Sequence, residues 1–305
     1  MFTREIIKKN PTLIDTLISR FQNDELYLKM LESDAYYDMK NTQIMERRNV
    51  MAMAKQGTST SEDGEVHVFT YTQIQEDKSK ANNKIPHGFH YELVNQCKNF
   101  LAGNPVRVTW KHMEDFNESE IEDLKLEVDY VLNDINDWGT FVQIMIKNAQ
   151  KHSRSYARIN VDSKGNFRFT PVTAKEVIPF YDDYGDIYLA IRTFSREEID
   201  DDAQIITVNY VEIMDDQYKD TYKQVSGEWL EFEMATPLLE SSIMVGDIVT
   251  SEEHLSWGKV PLIEWKFTDD GINSLEPIKP FIDLADANIS DFANDSKFIR
   301  LYEGR

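Results

Sequence analysis

The stretch that decides the fold lies at residues 274–305 and reads SLEPIKPFIDLADANISDFANDSKFIRLYEGR. Pro280 has no backbone N–H, so a continuous helix is expected to begin with this proline in its first turn. From residue 280 to residue 299 the helix would extend roughly 30 Å at about 1.5 Å per residue. The stretch therefore predicts one long helix.

Small and apolar side chains recur along this predicted helix at spacings of three and four residues, which places them on one narrow stripe. The stripe consists of Ile282, Ala285, Ile289, Phe292, Ser296 and Ile299. Other positions carry aspartates, which we expect to stay in water: Asp283, Asp286, Asp291 and Asp295. The pattern fits a helix packed on its own domain and equally a helix in a bundle built by several subunits.

The chain is strongly acidic, with 33 Lys and Arg residues against 54 Asp and Glu residues and a formal net charge of −21. At long range this charge repels a phosphate backbone, which argues against tight nonspecific binding of duplex DNA. Contact with nucleic acid through a local basic patch, or enclosure of a duplex without gripping it, stays open.

The composition is that of a folded chain. Its 305 residues, of which 41% are hydrophobic, suit one large domain or two smaller ones. The sequence contains no apolar run long enough to cross a bilayer, and its first residues lack the apolar core and cleavage site of a signal peptide. We therefore expect a cytoplasmic location and no membrane partner. The single cysteine, Cys97, excludes a disulfide within the chain.

Helical patterns come first along the chain and strand patterns second. Helices are expected within residues 11–48, 86–102, 118–133 and 138–151. From residue 155 onward, alternating segments separated by short acidic turns predict an antiparallel meander. Earlier in the chain we expect a loop at 55–65 and two short strands, VHVFTY at 66–71 and VRVTW at 106–110. This order predicts an α+β fold, a mixed domain of helices and an antiparallel sheet followed by a long helix.

Motifs of common catalytic sites are absent, because the chain has no GxxxxGK[ST], GxGxxG, HExxH or GxSxG. We predict no catalytic residue, no metal site and no cofactor. One alternative is a magnesium-dependent nuclease that uses Glu176, Asp182 and Asp183. The segment YDDYGD, with Gly185 between two alternating segments, instead favours a solvated turn. A monomeric acidic binding module is a further alternative.

Basic and aromatic residues interleave between residues 147 and 169, where a nucleic-acid face is conceivable. Strand alternation would put Tyr156, Arg158 and Asn160 on one side of a sheet. We interpret that side as a solvated face of the sheet.

Four stretches together resemble the portal proteins of tailed double-stranded-DNA bacteriophages, of the siphophage type found in phages and prophages of Gram-positive bacteria. The first two are LYLKMLESDAYYDMKNTQIMERR at 26–48 and NNKIPHGFHYELVNQCKNFLAGNPVRV at 82–108. The others are ARINVDSKGNFRFTPVTAKEVIPFYDDYGDIYLAIR at 157–192 and WGKVPLIEWKFTDDGINSLEPIKPFIDLADANISDFAND at 257–295. No single stretch is diagnostic, but their order and spacing are specific.

The resemblance implies a structural protein without enzymatic activity. Such proteins form a homo-oligomeric ring, typically of twelve subunits, at one vertex of the capsid in the virion, and assemble in the host cytoplasm. Double-stranded DNA passes through the ring during packaging and ejection without sequence-specific binding. The implied partners are the large subunit of the terminase, capsid and scaffolding proteins, and a head-completion (adaptor) protein.

By the same resemblance, residues 1–270 form the outward-projecting wing domain, and residues 271–305 form the first stem helix and the start of the clip. We expect Ile282, Ala285, Ile289 and Phe292 to pack between subunits in the stem. Candidates for lining the channel are Asp283, Asp286, Asp291 and Asp295. An acidic lining would not hold a passing duplex through ion pairs.

Members of this family usually continue through a clip, a second stem helix, a tunnel loop and a crown. Only FIRLYEGR follows the expected stem in this chain. We therefore expect a truncated chain that is a monomer or forms small oligomers, and a ring when the remaining part is present.

Overall fold

The computed structural model describes residues 2–47, 50–60, 66–76, 82–104, 117–162, 164–199, 203–225, 227–231, 253–254 and 258–303. The chain divides into two compact units. The first comprises Met1–Asp34 and Glu92–Ser274, and the second comprises Ala35–Tyr91 and Leu275–Arg305.

The described helices are α1 (Arg4–Lys9), α2 (Leu13–Gln22), α3 (Glu25–Tyr37), α4 (Thr42–Met45), α5 (Phe89–Ala102), α6 (Glu118–Asp129), α7 (Trp138–His152) and α8 (Lys279–Glu303). A π-helical turn, Tyr130–Ile135, continues α6, and a 3-10 turn, Ala174–Glu176, precedes the fifth strand. Asn117 begins α6 with a reciprocal capping box, in which its side chain accepts from Glu120 N and the Glu120 carboxylate accepts from Asn117 N.

The described strands are β1 (Val50–Thr60), β2 (Val66–Glu76), β3 (Arg154–Val161), β4 (Phe167–Thr173), β5 (Val177–Tyr181), β6 (Ile187–Ile199), β7 (Ile205–Met214), β8 (Tyr218–Val225), β9 (Glu228–Glu231), β10 (Glu253–His254) and β11 (Leu262–Lys266). In the first unit, one sheet has the order β10-β8-β7-β6-β5 with β9 also beside β8, and another has the order β11-β3-β4. Every described pair is antiparallel. The α+β fold class and the antiparallel meander are therefore confirmed.

The core of the first unit lies on both faces of the larger sheet. Alternate residues of β6 point to opposite faces, so Leu189 and Ile191 pack with Ile7 and Ile14 of the first two helices. Ala190 faces the other way, towards the smaller sheet, in a cluster that contains Tyr156 and Val172. A further cluster, centred on Phe141 and Met145, covers the outer face of the smaller sheet with α7. Helix, sheet, sheet and helix thus form successive layers.

The interpretation of Tyr156 and Arg158 as part of a solvated sheet face is wrong. Tyr156 is fully buried and Arg158 is nearly so, because their side of β3 is covered by the larger sheet. Arg158 Nη2 donates to Glu212 Oε1 of β7 at 2.8 Å, and Arg192 Nη1 donates to Glu212 Oε2 at 3.3 Å. The carboxylate between two guanidinium groups compensates the loss of water around these charges.

One other prediction also differs from the structure. The predicted loop at 55–65 is strand up to Thr60, because β1 pairs with β2 from Val50↔Glu76 to Thr60↔Val66. The predicted strand at 66–71 is confirmed as the start of β2. The predicted strand at 106–110 lies outside the described residues. Over the described ranges, no helix combines the length and apolar character that a bilayer span requires.

Candidate functional site: the two faces of helix α8

Helix α8 is the longest described helix and begins one residue before the predicted start, with Pro280 in its first turn. The chain enters it through a turn in which Ile278 N and Lys279 N both donate to Leu275 O, at 2.9 and 2.8 Å. Since the first turn of a helix provides no acceptor for backbone N–H groups, a proline at this position removes no hydrogen bond of the helix.

The face of α8 that is buried within its own unit is mainly polar. Ile282, Asp286 and Ser290 follow one another at intervals of four residues and are 4%, 0% and 1% exposed. Only Ile282 belongs to an apolar cluster, with Tyr36 and Leu275. Beyond this first turn, the buried Asp286 and Ser290 form hydrogen bonds with the residues that cover them.

Asp286 is the centre of these contacts. Its Oδ1 accepts from the backbone N of His87 at 3.1 Å and lies 3.0 Å from His87 Nδ1. Because a carboxylate only accepts, His87 Nδ1 carries the hydrogen of this bond. Asp286 Oδ2 accepts from Asn41 Nδ2 at 2.8 Å. A buried carboxylate with several donors is stable where an unpaired one would not be.

Residues 82–88 form an extended strap along α8. Asn83 N donates to Asn294 Oδ1 at 2.6 Å, Ile85 N to Ser290 Oγ at 3.1 Å, and His87 N to Asp286 Oδ1. Two residues of extended chain advance about 6.6 Å, close to the length of one turn of the helix, so every second strap residue meets every fourth helix residue. The strap therefore runs antiparallel to α8 and fixes its polar face.

Asp283 and Asp286 share a donor. Asn41 Nδ2 donates to Asp283 Oδ1 at 3.1 Å as well as to Asp286, while Asn41 Oδ1 accepts from Ile44 N at 3.4 Å and caps α4. The hydroxyl of Tyr36 donates to Asp283 Oδ1. Asn41 is 1% exposed, and both the nitrogen and the oxygen of its side-chain amide are hydrogen-bonded, which fixes its orientation.

A neighbouring side of α8, roughly 100° around the helix from the buried polar face, exposes an apolar face formed by Phe281, Ala285, Ile289 and Phe292. At 100° per residue these four positions fall within about 80° of arc. Phe281 and Phe292 are 73% and 74% exposed, Ile289 is 36% exposed and Ala285 is half-buried. Aromatic side chains exposed in a row on one helix face indicate a contact surface.

The structure places the predicted residues on different sides of α8. Asp286 and Ile282 are buried within their own unit, and Asp283 is half-buried. Asp291 and Asp295 are exposed beside the apolar face; Asp291 Oδ1 lies 2.7 Å from Arg47 Nη2. Sequence reasoning missed Phe281, which extends the apolar face, and the partners of the carboxylates, Asn41 and His87. The (i, i+4) relation of Phe281 to Ala285 was a signal that could have identified the first.

Two residues of the nuclease alternative, Glu176 and Asp182, are engaged in structural contacts, and the third, Asp183, is exposed. Glu176 Oε2 accepts from Arg192 Nη2 at 3.0 Å. Asp182 Oδ1 accepts from the backbone N of Tyr184 and of Asp186, both at 2.9 Å, in a turn where Gly185 has a φ of 85°. Among the described residues, no three His, Cys, Asp or Glu side chains come together in a way that would hold a metal ion.

Similarity to known proteins shows the class to which this chain belongs. The sequence pattern of the family described as phage portal protein, SPP1 Gp6-like, matches residues 20–301, and the chain belongs to that family. A curated relative is the portal protein of Bacillus phage SPP1, which is 24% identical over 313 aligned positions that cover 99% of this chain and 54% of the relative. The chain thus spans about half the length of the curated relative it matches. The resemblance found in the sequence is confirmed.

Proposed function

We propose that this chain is a subunit of the portal ring, the head-tail connector at one vertex of a phage capsid, through which double-stranded DNA is packaged and ejected. Residues 271–305 supply a stem helix of the ring, and residues 1–270 supply its wing. The role is structural, and no reaction is assigned to the chain. The observation that carries the proposal is the exposed apolar face of α8 in a member of the portal family.

The reason is that α8 is held to its own chain by its polar side. A helix that stabilised only its own domain would bury Phe281 and Phe292 and leave Asp286 in water, and the opposite is observed. Burying an exposed Phe side chain contributes about 1.5–3 kcal/mol, so covering the apolar face favours association strongly. In a ring, the neighbouring copy covers this face of each subunit.

The exposed carboxylates fit the same arrangement. Asp291 and Asp295 lie roughly 120° and 80° around α8 from the centre of the apolar face at 100° per residue. If neighbours cover the apolar face, these carboxylates turn towards the channel, where like charge prevents the duplex from binding through ion pairs. The lining role is therefore proposed for Asp291 and Asp295, whereas the buried Asp286 is proposed to hold the helix in place.

The partners belong to the same proposal and rest on family membership. They are other copies of the chain, in a ring of twelve, the terminase large subunit, capsid and scaffolding proteins, and a head-completion protein. The proposed location is the portal vertex of the virion, reached from the host cytoplasm during assembly.

Sedimentation analysis over a range of protein concentrations tests the role of the apolar face. We expect self-association of the chain, and Phe281→Ser or Phe292→Ser should weaken it about ten- to hundredfold, as the loss of one buried Phe implies. Both side chains are exposed in the isolated chain, so the far-ultraviolet circular dichroism should not change.

Phe100→Ser is the matched control, because Phe100 of α5 is 88% exposed and lies outside α8. It should leave association unchanged. Equal weakening by all three substitutions would contradict the proposed role of the face.

A further inference from the structure

Among the described strands, the outer edge of β6 is paired only over its first half. The neighbouring strand β5 pairs with β6 from Tyr181↔Ile187 to Val177↔Arg192, and the 3-10 turn Ala174–Glu176 precedes it. In the part of the chain that the structure describes, no strand pairs with Thr193–Ile199 on this side. In an antiparallel sheet, every second residue of such an edge presents its N–H and C=O groups to a further strand.

A groove of about 800 Å³ opens at this edge and crosses the sheet as far as β9, since its lining includes Ser195, Asn209 and Trp229. It reaches around both faces of β6, and its lining differs between them. On one face it is lined by Ile18, Gln22 and Tyr27, from the second helix to the start of the third. On the other face it is lined by Phe194, Arg196 and Tyr210. A strand added beside β6 would therefore place alternate side chains in two different environments.

The environment around Arg196 is cationic and aromatic. The rings of Phe194 and Tyr210 stack at 5.5 Å between centroids, and the Arg196 guanidinium lies 4.9 Å from the first ring and 5.6 Å from the second. The other cations nearby are paired, Arg192 with Glu176 and Lys223 with Glu198. Arg196 is exposed, and its charge helps to lower the pKa of Glu198, whose Oε2 accepts from Lys223 Nζ at 2.6 Å. In a chain of net charge −21, this stacked arginine favours an incoming carboxylate.

We propose that the open edge of β6 binds an extended segment of a partner protein, whose side chains alternate between apolar residues and carboxylates. The segment adds a strand beside Thr193–Ile199 through main-chain hydrogen bonds, which supply affinity. Its apolar side chains lie against Ile18 and Tyr27, and a carboxylate on its other face meets Arg196. This docking surface is independent of the apolar face of α8.

The probe is a synthetic peptide, acetyl-Thr-Val-Glu-Val-Glu-Val-Thr-amide, compared with the same peptide carrying Lys in place of Glu. The measurement is the nuclear magnetic resonance titration of the amide groups of Thr193–Ile199. We expect the Glu peptide to bind several-fold more tightly than the Lys peptide. Arg196→Glu should reverse this order, whereas Lys125→Glu, at an exposed lysine of α6, should leave it unchanged.

Backbone methylation separates strand addition from simple charge attraction. Two further Glu peptides carry N-methyl groups on alternate sets of residues, so that only one of them loses the N–H groups that face β6. One methylated peptide should lose binding and the other should retain it.

Equal binding of both methylated peptides, or an unchanged preference in Arg196→Glu, would overturn the proposal. So would binding of a single-stranded oligothymidine at the same amides more tightly than the Glu peptide, since the surface would then be a nucleic-acid site. None of these outcomes bears on ring formation, which the α8 variants test separately.

Discussion

At the scale of single residues, Asp34 joins three elements of the first unit through one carboxylate. Its Oδ1 lies 2.6 Å from Lys151 Nζ and accepts from His152 Nε2 at 2.9 Å, while its Oδ2 accepts from Lys175 Nζ. His152 Nδ1 lies 3.0 Å from Thr173 Oγ1, so the neutral imidazole accepts from the hydroxyl on that side. The carboxylate thus connects α3, α7 and the 3-10 turn.

The pKa values of both groups are lowered by this arrangement. Burial alone would raise the pKa of Asp34. The hydrogen bond from His152, the charge of His152 once acid protonates it, and the hydrogen bonds of the two lysines lower this pKa well below its usual range. Burial lowers the pKa of His152, and the attraction of Asp34 offsets this effect only in part. The folded protein therefore favours an ionised Asp34 beside a neutral His152.

These shifts predict a loss of stability in acid. A group whose pKa is lower in the folded than in the unfolded protein stabilises the fold at pH values above its unfolded-state pKa. This contribution to the free energy of unfolding is lost as the pH falls. The His152 contribution should begin to fall below about pH 6.5, and the Asp34 contribution below about pH 4. Urea unfolding between pH 7 and pH 2.5 measures both stages.

Asp34→Asn should lower the free energy of unfolding at pH 7 by about 3 kcal/mol, because three buried or half-buried donors lose a charged partner. The difference from the original protein should shrink below about pH 4. Asp183→Asn, at an exposed turn residue, is the control and should change little. A difference that is the same at pH 7 and pH 2.5 would contradict this account.

None of this network could be predicted from the sequence. Asp34, His152 and Lys175 are far apart along the chain, and their alternation patterns indicate only helix or strand. Their meeting depends on how the helices pack on the sheets, which local periodicity does not contain.

At the scale of elements, the strap at 82–88 decides which face of α8 is buried. The spacing of apolar residues predicted the helix and most of its apolar face correctly in position along the chain. It did not predict that Asp283 and Asp286 would be turned inward, because their partners, Asn41 and His87, lie in segments without periodicity. The strand meander was predictable, since alternation and acidic turns recur within a few residues of each other.

Asp286→Ala should destabilise the attachment of α8, because the two His87 donors lose their acceptor and Asn41 Nδ2 keeps only Asp283 Oδ1. We expect a cost of about 2–3 kcal/mol, as for other buried donors left without a partner. Hydrogen exchange at the amides of Ile85 and His87 should accelerate with it. Asp291→Ala is the matched control on the exposed side of α8, where the loss of an exposed ion pair costs about 0–1 kcal/mol. Equal acceleration in both variants would show that Asp286 does not hold the strap.

At the scale of the whole molecule, the chain belongs to a family of portal proteins and carries a helix whose two faces have opposite character. Fold class and family could be read from the sequence, because both depend on the order of local patterns along the chain. The sequence does not show whether an α8 residue packs within its own unit or against a neighbouring copy. That depends on the position of every segment that could cover the same face of the helix. Membership and the exposed face together support assembly into a ring.

The most direct test of the proposed roles of the α8 faces is an electron-microscopy reconstruction of the assembled protein at side-chain resolution. We expect a closed ring in which Phe281, Ile289 and Phe292 contact the neighbouring copy, while Asp291 and Asp295 face the channel. Asp286 should remain against His87 of its own chain. A ring in which the apolar face of α8 lies in solvent would contradict the proposed role of that face.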